Sequence, residues 1–113
     1  DVANEAAIAL AKFASPENFL CREHSKAIIE FNGVPPLMRL VQAKERTHAH
    51  DLALLCYLAI NASNHQGLEQ AKVAAALEAA EGIVSPQQVH LRELINKAIR
   101  RLNLYRRQPS PRK

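Results

Sequence analysis

Cys21 and His24 stand three residues apart, and His48, His50, Cys56 and His65 follow them along the chain. Thiols and imidazoles are the ligands of tetrahedral zinc, but no second tight pair joins Cys21 and His24 to complete such a site. Neither a metal nor another cofactor is expected. Cys21 and His24 could also act as nucleophile and base, yet spacing alone does not bring them within hydrogen-bond reach. The sequence offers no oxyanion loop and no glycine-rich phosphate cradle beside them. Catalysis needs an assembled site, so an enzyme is not expected. Cys56 falls on an apolar helical stripe and reads as a small buried hydrophobe. His48 and His50 read as solvated turn residues, with a pH-sensitive contact as the sharper alternative because imidazole titrates near neutrality.

The elements that position these residues come from a chain of 113 residues, 48% of them hydrophobic, enough for the core of one domain. Tryptophan is absent and aromatics make up 4%, while Ala and Leu dominate. That composition favours close-packed helices over sheets, which prefer β-branched and aromatic side chains. The fold class is read as all-α. Two cysteines do not make a disulfide scaffold, and no signal-peptide pattern opens the chain, so a reducing compartment is expected. No apolar run approaches the roughly 20 residues a membrane-spanning helix needs. The location read from this is cytoplasmic, with association at a membrane surface and the nucleus both left open.

Val2, Ala6, Ala9, Leu10 and Phe13 fall at helical spacing and predict a first helix ending near Ala14. Ser15 and Pro16 read as an N-cap and first-turn proline, so a short helical segment is expected to start there. Ala27, Ile28 and Phe31 carry its apolar face to Asn32 and Gly33, a pair suited to closing a helix in the left-handed conformation. A second short helix restarts at Val34, with Pro35 and Pro36 in its first turn and Leu37, Leu40 and Val41 as its packing face. The polar run AKERTHAHD, residues 43–51, reads as a turn. Beyond it Ala49, Leu52, Ala53, Cys56, Ala59 and Ile60 make a longer apolar stripe.

The order short helix, short helix, long helix recurs. Leu10, Ala11, Ala14 and Ser15 match Leu58, Ala59, Ala62 and Ser63 at an offset of 48, and Ala27 and Gly33 match Ala76 and Gly82 at 49. Periods in the forties built from two or three helices belong to α-solenoids, in which each unit buries its apolar face only against its neighbours. Ser85, Pro86 and Gln88 then predict the start of a last, longer helix over residues 86–105, with Leu91, Leu94, Ile95, Ala98, Leu102 and Tyr105 on one face. It suits a cap on the last unit.

Charge is uneven along the chain. Residues 1–96 carry a net −3, whereas residues 97–113 carry seven basic residues and no acid. Lys97, Arg100, Arg101, Arg106 and Arg107 form the expected basic surface, and residues 106–113 read as a basic flexible tail that phosphorylation at Ser110 would make less positive. An anionic membrane surface would attract such a cluster. Nucleic acid is not expected, because Tyr105 is the only aromatic near these charges and no known reading motif is present.

The run CREHSKAIIEFNGVPPLMRLV resembles an armadillo unit. With GLEQAKVAAALEAAEG and the ending LRELINKAIRRLNLYRR, nearly the whole chain resembles the C-terminal part of the plant "armadillo repeat only" proteins. The resemblance implies about two armadillo-type units, the first partial, with the capping helix, in residues 1–105. It also implies a C-terminal fragment of a longer protein. By function it implies a non-enzymatic scaffold of polarised cell growth, acting near the plasma membrane with regulators of plant Rho-type GTPases, an activating or an exchange factor. Armadillo proteins that bind nuclear-localisation peptides display Trp and Asn ladders on their third helices. Here the aligned Asn positions hold Lys12 and Ile60, and the Trp positions Ile8 and Cys56. Asn61 is one residue off, a rotation of about 100°. An importin-like cargo receptor is therefore not expected.

Two readings follow. In the first, Glu5, Ile8, Lys12, His48, Asp51, Leu55 and Asn61 line a groove for a protein partner. In the second, the basic C-terminal helix and tail dock on an anionic membrane. Two units leave the first helix uncovered, so a dimer through Val2, Ala6 and Leu10 is a further expectation.

Overall fold

The computed structural model describes residues 2–42, 49–62, 66–70, 72–84 and 86–107. Every regular element among them is a helix: α1 (Val2–Ala14), α2 (Cys21–Glu30), α3 (Val34–Val41), α4 (Ala49–Asn61), α5 (Gln66–Gln70), α6 (Val73–Glu81) and α7 (Val89–Arg107). Two short helices thus separate α1 from α4, and two more separate α4 from α7. The helix α4 packs against α1 and against α7, which share no comparable contact with each other, and α2, α3 and α6 also rest on it.

A helix surrounded in this way must be apolar around most of its circumference. Leu52, Leu54, Leu55, Cys56, Leu58 and Ala59 of α4 are all buried. The last helix is one-sided instead. Leu91, Ile95, Ala98 and Leu102 are buried while Glu93, Asn96, Lys97, Arg100 and Arg101 face solvent, the division expected of a helix that closes a core. Its start differs from expectation: Pro86 and Gln87 lie in a turn, the helix begins at Val89, and it runs on through Arg106 and Arg107. Residues 108–113 of the expected tail lie outside the described residues.

The first helix is turned differently from its sequence pattern. Ala7 and Ala14 are buried toward the core, whereas Ala6, Ala9 and Phe13 are exposed and Leu10 is half-buried. Small side chains at Ala7 and Ala14 allow close approach to α4, so the larger residues of the predicted apolar face are left outside. The chain then turns before α2. Ser15 Oγ accepts from the Glu17 N–H at 3.3 Å and Asn18 Oδ1 accepts from the Leu20 N–H at 2.8 Å. These local bonds compete with helix, so α2 starts at Cys21 and not at Pro16.

The end of α2 is a Schellman-type stop. The Gly33 N–H donates to the Ile28 carbonyl at 2.8 Å and the Asn32 N–H to the Ile29 carbonyl at 3.1 Å. Asn32, not Gly33, takes the left-handed conformation, with φ 64°. Gly33 is required for a different reason: a Cβ there would lie 2.8 Å from the Ile28 carbonyl oxygen. Pro35 and Pro36 then occupy the first turn of α3, as the sequence implies. Between α5 and α6, Lys72 adopts φ 60°.

Candidate functional site

A helix that exposes its apolar stripe creates a surface in search of cover. Leu10 and Phe13 of α1 face His24, Ala27, Ile28 and Phe31 of α2 across an open apolar groove of about 400 Å³ that reaches Gly33. The Phe13 and His24 rings stack at a tilt, centroids 5.2 Å apart and planes 58° apart, an arrangement that suits their quadrupoles. Phe31 is 85% exposed and Phe13 49%. Leaving a large aromatic side chain in water forgoes about 1.5–3 kcal/mol of burial, and two such rings stand at this one groove.

The Schellman stop shapes this groove. It places Phe31 at the C-cap of α2 and turns the chain sharply into α3, which leaves the Phe31 ring standing off the helix end. Sequence periodicity assigned Ala27, Ile28 and Phe31 to an internal face. The side of α2 that is buried carries Ser25 and Ile29 instead. A polar Ser25 at that position was the available signal that the neighbouring helix offered a hydrogen-bond partner.

That partner is Asn61. Its Nδ2 donates to Ser25 Oγ and to the Ala14 carbonyl, each at 2.9 Å. Asn61 therefore ties the end of α4 to α2 and satisfies a carbonyl left open at the end of α1. Its Nδ2 is committed to these two bonds and is not free to donate to a partner. Leu55 and Asp51 are likewise corrected, since both are 0% exposed. Leu55 faces the core of the α4 layer. The Asp51 carboxylate sits in the first turn of α4, 3.5 Å from His50 Nε2, where the positive end of the helix dipole favours it. His50 is thus drawn into a partly buried pair and is not a fully solvated turn residue.

Glu5, Ile8 and Lys12 are exposed on α1 and remain available to a partner. His48 lies outside the described residues, as do Ala43, Lys44, Glu45, Arg46 and Thr47 of the predicted turn. Lys97, Arg100 and Arg101 of the expected basic surface are exposed on α7, with Leu104 on the same side one turn further on, 57% exposed.

The thiols are separated in environment as well as in space. Cys56 is fully buried, and desolvation pushes its pKa from 9.0 up to about 12, so it stays a neutral thiol. Cys21 is half-buried at the start of α2 and is not disulfide-bonded. Among the described residues no three His, Cys, Asp or Glu side chains come together as a metal site, and no helix is long and apolar enough to cross a membrane. The groove itself carries one titratable side chain, His24, packed on Phe13. The rest of its lining is apolar. No family profile, curated protein or solved structure matches this chain.

Proposed function

We propose that this chain is an armadillo-type α-solenoid segment that works as a non-enzymatic protein-interaction scaffold, holding an apolar segment of its partner in the groove between α1 and α2. The observation that carries this reading is the exposed Phe13 and Phe31 at a groove lined by Leu10, Ala27 and Ile28. The alternation of long helices with pairs of short ones, and the contacts of α4 with both long neighbours, support the solenoid. The partner class, an activating or exchange factor of plant Rho-type GTPases in polarised growth, comes from the resemblance of residues 21–41, 67–82 and 91–107 to the "armadillo repeat only" proteins.

A second reading is favoured by α7. Lys97, Arg100, Arg101 and Leu104 recur at helical spacing on its exposed side, and near an anionic leaflet each such cation contributes about 1 kcal/mol. One pair of measurements decides between the two: calorimetric titration with a Rho GTPase-activating protein, and co-sedimentation with phosphatidylserine vesicles. The scaffold reading expects Phe31→Asp to weaken the protein complex at least about tenfold, with Lys97, Arg100 and Arg101 all changed to Gln binding as wild type does. Vesicle binding lost in the triple Gln variant, with no protein complex formed by any variant, would replace it by the membrane reading.

A further inference from the structure

The outward face of α1 has its own arrangement. At about 100° per residue, Ala9, Phe13 and Ala6 follow one another around the helix and lead into the groove through Leu10. Glu5 and Lys12 lie together along the outer flank of this apolar strip, and all but half-buried Leu10 are exposed. Glu5 and Lys12 are seven residues apart, about 10.5 Å along the axis and nearly in line. They cannot pair with each other at that distance, and neither has an ion-pair partner among the described residues.

An apolar strip with an acid at one end of its flank and a base at the other is self-complementary for an antiparallel partner. Turning a second α1 about a twofold axis that runs between the two helices, perpendicular to both and level with Ile8 and Ala9, brings each Glu5 opposite the other copy's Lys12. In antiparallel helix pairs the same flank of both helices meets, so both ion pairs form on one side of the apolar contact. We propose that a second copy of this chain covers the face, α1 against α1 antiparallel, with reciprocal Glu5–Lys12 pairs and the apolar strip of each helix shielded by the other.

Two observations favour this occupant over a head-to-tail stack. At positions 48 residues on from this strip α4 is buried: Leu54 and Leu58 are at most 1% exposed, whereas the matching Ala6 is open and Leu10 is half-buried. Helical cover is therefore what this type of face takes. The opposite end of the row, α7, offers Lys97, Arg100 and Arg101 beside Glu93, and stacking it on α1 would bury more cations than Glu5 alone can pair. An isologous contact uses the same patch twice and avoids that cost.

This inference rests on reading the face as a protein-docking surface, but its test is separate. One helix and a groove edge make a small interface, so weak association is expected, measured by analytical ultracentrifugation of the whole chain from micromolar to millimolar concentration. Wild type dimerises. Glu5→Lys, which makes both flank positions basic, and Lys12→Glu, which makes both acidic, each weaken the dimer about tenfold. Mixing the two variants restores it, because each copy now supplies the opposite charge at both positions. Wild type that stays monomeric throughout overturns the inference while leaving partner binding through Phe31 intact, and so does a dimer that neither substitution weakens. Raising salt reduces the difference between wild type and the single variants, as exposed charges are screened.

Discussion

An added methyl at Gly33 would sit 2.7 Å from Ile28 Cγ2 and 2.8 Å from the Ile28 carbonyl oxygen. The side-chain carbon can move; the carbonyl is held, because it accepts the Gly33 N–H that closes α2. Gly33→Ala is therefore expected to destabilise the chain by about 1–3 kcal/mol through strain at that stop. Gly82 stands at the matching repeat position but has different surroundings. Its φ is −72°, and the nearest atom to a new Cβ is the Ala79 carbonyl oxygen at 3.7 Å. Gly82→Ala should stabilise by about 0.4–1 kcal/mol, since alanine restricts the unfolded chain without straining the folded one. Urea unfolding of both variants checks the contrast, and equal effects at the two glycines would refute the steric argument. The sequence pairs these residues correctly as helix ends, but only the distance to Ile28 separates an obligatory glycine from a replaceable one.

Between elements, the junction of α1, α2 and α4 depends on one amide. Asn61 Nδ2 bonds to a carbonyl of one helix and a hydroxyl of another, and Ser25 is fully buried. Asn61→Ala would leave both acceptors without their donor, at a cost of about 1–3 kcal/mol. Ser25→Ala should then cost less in the Asn61→Ala background than in wild type, and a double-mutant cycle with no coupling would show that the bond carries no stability. This junction also shows what periodicity reveals and what it leaves out. The faces of α3, α4 and α7 could be read directly, through Leu37 and Val41, Leu52 and Cys56, and Leu91 and Ile95, because one side of each is strongly apolar. For α1 and α2 the same rule selected Phe13 and Phe31, which the structure places outside. Periodicity identifies the apolar side of a helix; whether another helix arrives to cover it depends on the neighbours. Here Ala7, Ala14 and Ser25, small enough for close approach to α4, decide the packing. The α1–α2 groove is legible in the sequence only as a list of apolar residues. The partner groove expected from the sequence is a different one, and it includes Leu55 and Asp51 because spacing cannot distinguish the centre of a row of helices from its rim.

Over the whole molecule, stability should be cooperative because α4 packs against α1, α2, α3, α6 and α7. Cys56 lies at its centre, fully buried, with its pKa raised from 9.0 to about 12 by desolvation. In the unfolded chain this thiol ionises from about pH 9 upward, while the folded chain retains the proton until about pH 12. The unfolded state therefore binds fewer protons across that window, and stability falls as pH rises through it. Below pH 9 the thiol is protonated in both states and contributes no pH dependence. Denaturant unfolding between pH 7 and pH 11 should show a decline setting in above about pH 9, and Cys56→Ala should remove that part of the slope while lowering stability at all pH values through the lost packing. If the row of helices unfolds as one unit, loss of helical signal and reaction of Cys56 with a thiol reagent will share a midpoint. Reaction of Cys56 well before the helical signal is lost would mean that α4 opens locally, and the repeats would then be separable units joined by a weak centre.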